Sequence, residues 1–256
     1  MSNAMRLRPH SIDSATATYI AALSVRPTDA EIIAINRLVR GFKDCGAWSK
    51  LDAIYPLLGS VENDSKVNLK TPGTYNLTKV NSPVFTANAG WRSNNAGYLD
   101  SGFNVSTSGG LLTQNNACIA AAVSQDAASG GGVIGFASSG LLIPRNASNN
   151  FLGRLGSASS ANTAASGLGL HLLTRANSSF INHWRRGDFV ATTNISSSAL
   201  PSSTVTLLTG NGGATTSLST LNVTFAFFGA NLTGRQILAI NNAYAAYAAF
   251  YGVSSS

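Results

Sequence analysis

Apolar positions at helical spacing predict a helix near each end of the chain. In the N-terminal helix, the residues that share one buried face are Ile32, Ile35, Val39 and Phe42. Thr28 and Glu31 have the spacing of a capping box, in which each side chain satisfies a free backbone N–H of the first turn. Gly46 suits the left-handed residue that closes a helix. A shorter helix is predicted over Ser14–Ser24.

The C-terminal helix begins with the same signal, because Thr233 and Gln236 repeat the capping-box spacing. Its apolar stripe consists of Ile237, Ile240, Tyr244, Tyr247 and Tyr251. We interpret these tyrosines as packing residues rather than as ligand contacts. A further short helical turn is predicted between Ser49, as its cap, and Pro56, which ends it. The apolar residues of that turn are Leu51, Ile54 and Tyr55.

Between the helices, short apolar runs alternate with clusters of Gly, Ser and Asn, which is typical of an antiparallel sandwich. The predicted strands are Val84–Thr86, Tyr98–Leu99, Ala117–Val123, Val133–Phe136, Leu141–Ile143, Phe151–Leu155, Gly169–Arg175, Phe180–Arg185, Phe189–Thr193, Val205–Leu208 and Val223–Phe228. Their spacing leaves no room for the helical crossovers that a parallel sheet needs. The glycine-rich stretches 129–132, 156–167 and 210–213 are predicted to be loop tips.

Length and charge narrow the possible partners. With 256 residues, the chain can form one large sandwich with a helical appendage. The net charge of +7 would favour nucleic acid if the basic residues were clustered. They are scattered, and Arg185-Arg186 is the only adjacent basic pair after Met5. We therefore expect no nucleic-acid partner, whereas anionic polysaccharide stays possible as a weak, salt-sensitive ligand.

The N-terminal sequence and the low number of cysteines predict a protein made in the cytoplasm. Residues 1–4 resemble an expression-tag remnant, so Met5 is the expected native start. No signal peptide follows Met5, and no stretch reaches the roughly 18 apolar residues of a membrane span. The expected site of synthesis is therefore the bacterial cytoplasm. Cys45 and Cys118 are too few for a disulfide framework and are predicted to be free, buried thiols.

Several motifs near the two ends resemble those of one known family. They are Cys45-Gly46-Ala47-Trp48, the run 50–57, Asn68-Leu69-Lys70, the run 85–91 and, at the far end, Phe228-Gly229-Ala230-Asn231-Leu232-Thr233 through Gly252-Val253. This order resembles bacteriophage and prophage structural proteins in which a helical lead-in precedes a concanavalin A-like β-sandwich, or jelly roll. The resemblance implies a lead-in over residues 5–60 and a sandwich over 61–256 that ends in a packed helix. It also implies a virion-associated protein whose partners are other virion subunits or further copies of itself.

Catalytic and metal-binding patterns are missing from the sequence. Glycoside hydrolysis normally needs two carboxyl groups about 5 to 10 Å apart. Both glutamates, Glu31 and Glu62, fall near the lead-in, and the other candidate acids are isolated: Asp64, Asp100, Asp126 and Asp188. His10, His171 and His183 share no metal-ligand spacing, and His171 reads as a core histidine. We expect no enzyme activity, no metal and no cofactor.

Arg186-Gly187-Asp188 has the form of an integrin-binding tripeptide. It stands between two predicted strands, where a hairpin needs Gly beside Asp or Asn. We interpret it as a turn. In the family pattern this place is usually Asn-Gly, and here Arg186 replaces the Asn.

Two functional hypotheses follow, with a third as a check. The first is a non-catalytic virion part that acts through protein contacts. The second is a carbohydrate-binding module that recognises bacterial surface glycan, because sugar rings stack on exposed aromatic faces. The stacking candidates are Trp91, Tyr98, Phe103 and Trp184. We expect each of them to lie in the sandwich core, and a sugar contact would require its ring to be exposed. A polysaccharide hydrolase is the third hypothesis, and the lack of paired acids argues against it.

Overall fold

The computed structural model describes residues 11–210 and 217–255 and shows three α-helices within them. They are α1 (Ser14–Ala21), α2 (Asp29–Asp44) and α3 (Gly234–Phe250). Both predicted capping boxes are present, at Thr28 with Glu31 and at Thr233 with Gln236. Gly46 has a φ of +72°, as predicted for the residue that closes α2. The expected remnant, Met5 and His10 lie outside the described residues, as does most of the predicted loop tip 210–213.

Fifteen strands occur in the described ranges. They are β1 (Leu51–Pro56), β2 (Thr78–Val80), β3 (Val84–Thr86), β4 (Gly90–Arg92), β5 (Tyr98–Asn104), β6 (Ala117–Val123), β7 (Ile134–Phe136), β8 (Gly140–Ile143), β9 (Asn150–Leu155), β10 (Ser160–Thr163), β11 (Gly169–Arg175), β12 (Phe180–Arg185), β13 (Asp188–Asn194), β14 (Thr204–Leu207) and β15 (Val223–Gly229). Every ladder between these strands is antiparallel.

The strands form two sheets. Sheet A has the order β13-β12-β11-β6-β15-β4-β3, and β1 also pairs with β15. Sheet B has the order β10-β9-β8-β7-β14-β5-β2. The structure confirms the predicted class, a mainly β antiparallel sandwich with helices at both ends.

Sheet A is the middle layer, with sheet B on one face and the helices on the other. Alternate residues of β15 show this, because Ala226 and Phe228 join the core between the sheets, while Phe225 and Phe227 join a second core under the helices. The ring centroid of Phe42 in α2 lies 6.0 Å from that of Phe225 and 5.8 Å from that of Phe227. The helices therefore bury one face of a sheet whose other face is already packed.

All eleven predicted strands are confirmed, four of them with the predicted bounds: Val84–Thr86, Ala117–Val123, Gly169–Arg175 and Phe180–Arg185. The predicted helical turn at Leu51–Tyr55 is wrong. These residues form β1, which pairs with β15 and is buried on both faces, so its apolar residues do not alternate as in a half-exposed strand. The predicted loop tip 156–167 contains strand β10, and β2 and β4 were also missed.

The lead-in contributes to the sheet. Strand β1 lies within the predicted lead-in 5–60, although it belongs to sheet A. The division at residue 60 stays a prediction.

Both cysteines are free thiols. Cys118 is buried in β6, and its burial raises the pKa of the thiol well above its usual range. Cys45 is only half-buried at the end of α2, so the prediction of burial holds for one thiol of the two. No helix in the described ranges is long and apolar enough to cross a membrane.

Candidate functional site

Two of the four predicted stacking residues lie in the core. Trp91 has no exposed surface, and its Nε1 donates a hydrogen bond to Ser65 Oγ at 2.9 Å. Phe103 is 1% exposed and packs against Phe228, with ring centroids 4.9 Å apart. Stacking needs an accessible ring face, so neither residue meets the condition set for a sugar contact.

The other two candidates are half-buried but lie on different sheets. Tyr98 is in β5 of sheet B, next to Asp100 on the same outer face; burial, and then the Asp100 charge, raises the pKa of its phenol. Trp184 is in β12 of sheet A. The structure therefore does not bring the four candidates together, and each of these two must be considered separately.

Trp184 belongs to an exposed apolar cluster at one edge of sheet A. Phe189 stands opposite Trp184 in the β12–β13 ladder, and their ring centroids are 5.2 Å apart at an interplanar angle of 73°. Phe189 is 54% exposed, and Leu238 of α3 is 48% exposed. We call Trp184, Phe189 and Leu238 the aromatic ledge.

Three local features hold the ledge in place. The Trp184 indole donates a hydrogen bond from Nε1 to Thr174 Oγ1 at 3.0 Å. A Cβ at Gly234, the first residue of α3, would lie 3.0 Å from the Trp184 ring, which is tighter than most Cβ contacts, so the glycine favours this close approach of the helix. A Cβ at Gly187 would lie 2.9 Å from the Leu238 side chain, which places the hairpin turn directly against α3.

The hairpin turn itself has the predicted form. Arg186 and Gly187 have φ angles of +52° and +87°, as in a type I′ turn, and they connect β12 to β13. Arg186 occupies a position that usually favours Asn or Gly, and its Nε donates a hydrogen bond to Leu168 O at 3.1 Å. The tripeptide interpretation as a turn is confirmed.

Polar groups lie next to the ledge. Thr192 Oγ1 donates a hydrogen bond to Asn182 Oδ1 at 2.6 Å across the hairpin, which leaves an amide group at the surface. Asp188 and Arg235 nearby are exposed. The sequence reasoning missed Phe189, because nothing in the predicted strand 189–193 indicated that this ring would stay uncovered.

The isolated acids support the backbone of loops. Asp64 accepts hydrogen bonds from Ser24 N at 2.7 Å and Val25 N at 3.1 Å. Asp100 and Asp126 likewise accept hydrogen bonds from a backbone N–H, those of Gly102 and Gly167 respectively, each at 2.9 Å.

Asp52 on β1 is a half-buried acid that the sequence reasoning did not single out. It accepts Leu111 N at 2.7 Å and Leu112 N at 2.8 Å. Burial raises the pKa of its carboxyl group, and the two hydrogen bonds oppose that rise. Its contacts give it a structural role in fixing the loop after β5.

The two described histidines are uncharged core residues. His171 Nε2 lies 2.9 Å from Gly167 O, and burial lowers the pKa of the ring to about 3. His183 Nε2 lies 2.8 Å from Ser160 Oγ, and burial lowers its pKa to about 4. Among the residues whose placement is described, no three His, Cys, Asp or Glu side chains are grouped so that they could hold a metal ion.

Comparison with known proteins shows the fold. No protein-family model matches the chain, and no curated protein sequence matches it. Domain 4 of AbnA, an extracellular arabinanase from Geobacillus stearothermophilus solved with arabinotriose, is similar with a TM-score of 0.52 and 10% identity, over 75% of this chain and 98% of that one.

Two longer proteins contain a similar fold. Trypanosoma rangeli sialidase, solved with 2,3-difluorosialic acid, matches with a TM-score of 0.51 and 14% identity, over 82% of this chain and 38% of its own. The binding domain of botulinum neurotoxin serotype D matches with a TM-score of 0.52 and 10% identity, over 79% and 52%. The chain thus spans about two fifths of the sialidase and half of the toxin domain. At these identities the likeness establishes a shared sandwich fold and nothing further.

Proposed function

We propose that this protein is a carbohydrate-binding module that recognises glycan on bacterial surfaces through the aromatic ledge. The observation that carries the proposal is the exposed ring of Phe189, which packs against the half-buried ring of Trp184 on the uncovered part of sheet A. A sugar ring can stack on Phe189 while the amide of Asn182 and the hydroxyl of Thr192 bond to its hydroxyl groups.

The similar folds add support of a general kind. One of the proteins that share this fold was solved with arabinotriose and another with a sialic acid derivative. A sandwich of this architecture is therefore compatible with sugar binding, although one fold hosts many functions. The basic net charge of +7 favours glycans that carry acidic groups.

We further propose that the module binds sugar without cleaving it. A hydrolase needs one acid and one nucleophile or base beside the scissile bond. Asp64, Asp100 and Asp126 instead accept hydrogen bonds from the backbone, and within the described residues Asp188 is the one exposed acid at the edge of the ledge. Incubation with a bound polysaccharide should release no new reducing ends.

The test is binding of the full chain to a panel of bacterial surface polysaccharides and arabinan oligosaccharides, measured by calorimetry at physiological salt. We expect saturable binding that Phe189→Ala reduces at least tenfold, since the stacked ring carries most of the contact. The matched control is Phe250→Ala, which removes another exposed phenylalanine, 43% exposed near the end of α3 and away from the ledge.

Each outcome has a definite meaning. If binding survives Phe189→Ala but is lost in a correctly folded Trp184→Ala variant, the sugar stacks on the indole, and the ledge is still the binding site. Equal affinity for wild type and both ledge variants contradicts the site. Absence of binding at millimolar sugar for the whole panel contradicts the function.

A structural part of a phage particle is the second candidate. The observation that favours it is an exposed apolar groove beside α2, at a place where a lead-in could contact another subunit. Co-sedimentation with purified particles of a phage that encodes the chain would test this role, and a protein found only in the soluble fraction would contradict it.

A further inference from the structure

A groove beside α2 exposes apolar side chains near the start of the described chain. Ile12 is 51% exposed and Ile33 is 53% exposed, and both border a groove of about 420 Å³. Two large apolar side chains exposed at one groove form a surface that a partner could cover. We call this surface the Ile33 face; its residues are Ile12, Arg26, Asp29, Ile32, Ile33, Asn36, Arg37 and Arg40.

Hydrogen bonds between α1 and α2 fix the shape of the groove. Asn36 Oδ1 accepts hydrogen bonds from Asp13 N at 2.8 Å and from Thr16 Oγ1 at 3.1 Å, which fixes the start of α1 against α2. Lys43 Nζ pairs with Asp13 Oδ1 at 2.5 Å and supports the same contact. Ile12, directly before Asp13, is thereby held as one wall of the groove.

The charges on the Ile33 face are arranged about its centre. Asp29 and Arg37 each lie four residues from Ile33 and border the same groove. Asp29 accepts a weak, exposed contact from Arg26 at 3.3 Å, whereas Arg37 is exposed and makes no ion pair within the described residues. Arg40 donates to Ser11 O at 3.1 Å and is already engaged.

This arrangement is self-complementary. If two copies of α2 cross antiparallel at Ile33 around a two-fold axis, each residue faces the one at equal distance on the other side of Ile33. Asp29 of each copy then meets Arg37 of the other, and each Ile33 faces the groove beside its counterpart. A two-fold interface requires such matching of one surface with itself.

We propose that the occupant of the Ile33 face is a second copy of this chain, which forms a two-fold dimer through antiparallel α2 helices. The chain's own first ten residues are a poor occupant, since they carry Arg6 and Arg8 and no acid against a rim of three arginines. The interface is independent of the aromatic ledge, which lies at the far side of α3.

Analytical ultracentrifugation of the full chain, from about 1 to 200 µM, tests the proposal. We expect a concentration-dependent dimer. Asp29→Arg and Arg37→Asp should each weaken it roughly tenfold, because two attractive pairs become two repulsive ones. The double variant Asp29→Arg with Arg37→Asp should restore the dimer, since it exchanges the charges without changing their pairing.

Controls separate association from folding. Ile33→Asp should give a monomer with an unchanged far-ultraviolet circular dichroism spectrum, whereas Leu111→Asp, at a loop residue that is 42% exposed, should leave the dimer intact. A wild-type monomer at every concentration would overturn the proposal and leave the face to a partner with acidic side chains. A dimer that the double exchange fails to restore would overturn the antiparallel register.

Discussion

The outer face of sheet A is buried over one half and open over the other. Under α2 and α3 it is completely covered, and the buried residues there are Ala120, Ala122, Leu170, Leu172, Phe225 and Phe227. Beyond α3 the same face continues into β12 and β13, where Phe189 is 54% exposed and Val190 39% exposed. Aromatic residues occur in both halves, so their type does not reveal which half they belong to.

The difference follows from what packs above each half. Ala120 and Ala122 have small side chains, which lets the helices and the Phe225 and Phe227 rings fill the space over the central strands. Over β13 the described residues provide no further helix, and α3 meets this hairpin near the turn at Gly187 and at the Trp184 ring. The comparison shows that an exposed apolar surface can arise where the helical cover of a sheet ends.

The largest effect that would test this difference in burial comes from truncating one phenylalanine in each half. Phe227→Ala should lower the free energy of unfolding by about 3–5 kcal/mol, because it leaves a cavity under α2. Phe189→Ala should change it by less than about 1 kcal/mol, because its ring is already half in water. Urea denaturation followed by circular dichroism measures both. Equal losses would mean that Phe189 is buried in solution.

A second variant tests the helical cover itself. A Cβ at Gly41 in α2 would lie 2.5 Å from the Cβ of Ala243 in α3, closer than packed carbon atoms come. Gly41→Ala should therefore cost about 1–3 kcal/mol of stability in spite of alanine's higher helix propensity. Adding Ala243→Gly should recover most of the loss, and failure to recover would show that the two helices approach elsewhere.

Low pH should lower the stability of both halves, because each has a buried histidine on the inner side of sheet A. His171 lies beneath the covered half, and His183 lies beneath the ledge. Burial lowers their pKa values from 6.5 to about 3 and about 4, so below pH 6.5 the unfolded chain binds protons that the folded chain refuses. The histidines make their whole contribution to the free energy of unfolding above that pH. Between pH 6 and 4.5 the free energy of unfolding should fall by about 1.4 kcal/mol per pH unit for each histidine.

Denaturation curves collected across this pH range measure the effect. His183→Asn should roughly halve the slope, because one proton-binding site is removed from the unfolded chain. A slope that is unchanged in this variant would contradict a buried, neutral His183.

Helix ends and many of the strands could be predicted from local sequence patterns. Both capping boxes and the strands β6, β11 and β12 were predictable, because turn chemistry and continuous apolar runs report local conformation directly. Strand β1 was not, since its partner β15 lies far along the chain and burial on both faces removes the alternation that identifies strands.

The candidate site was predictable only in part. Trp184 was among the expected stacking residues, whereas Trp91 and Phe103 turned out to be core residues and Phe189 was missed. Exposure of an aromatic ring depends on whether another element covers it. That information comes from the packing of α3, which no local pattern near residue 189 contains.

The pairing of β1 with β15 has a consequence for how this protein could evolve. Residues 51–56 form the neighbour of a central strand, and the helices that precede them cover its Phe225 and Phe227. A recombination event that removed everything before residue 57 would take the Phe42 ring away from both phenylalanines and leave most of β15 unpaired along one edge, which favours aggregation. Helices and sandwich must therefore be inherited as one unit.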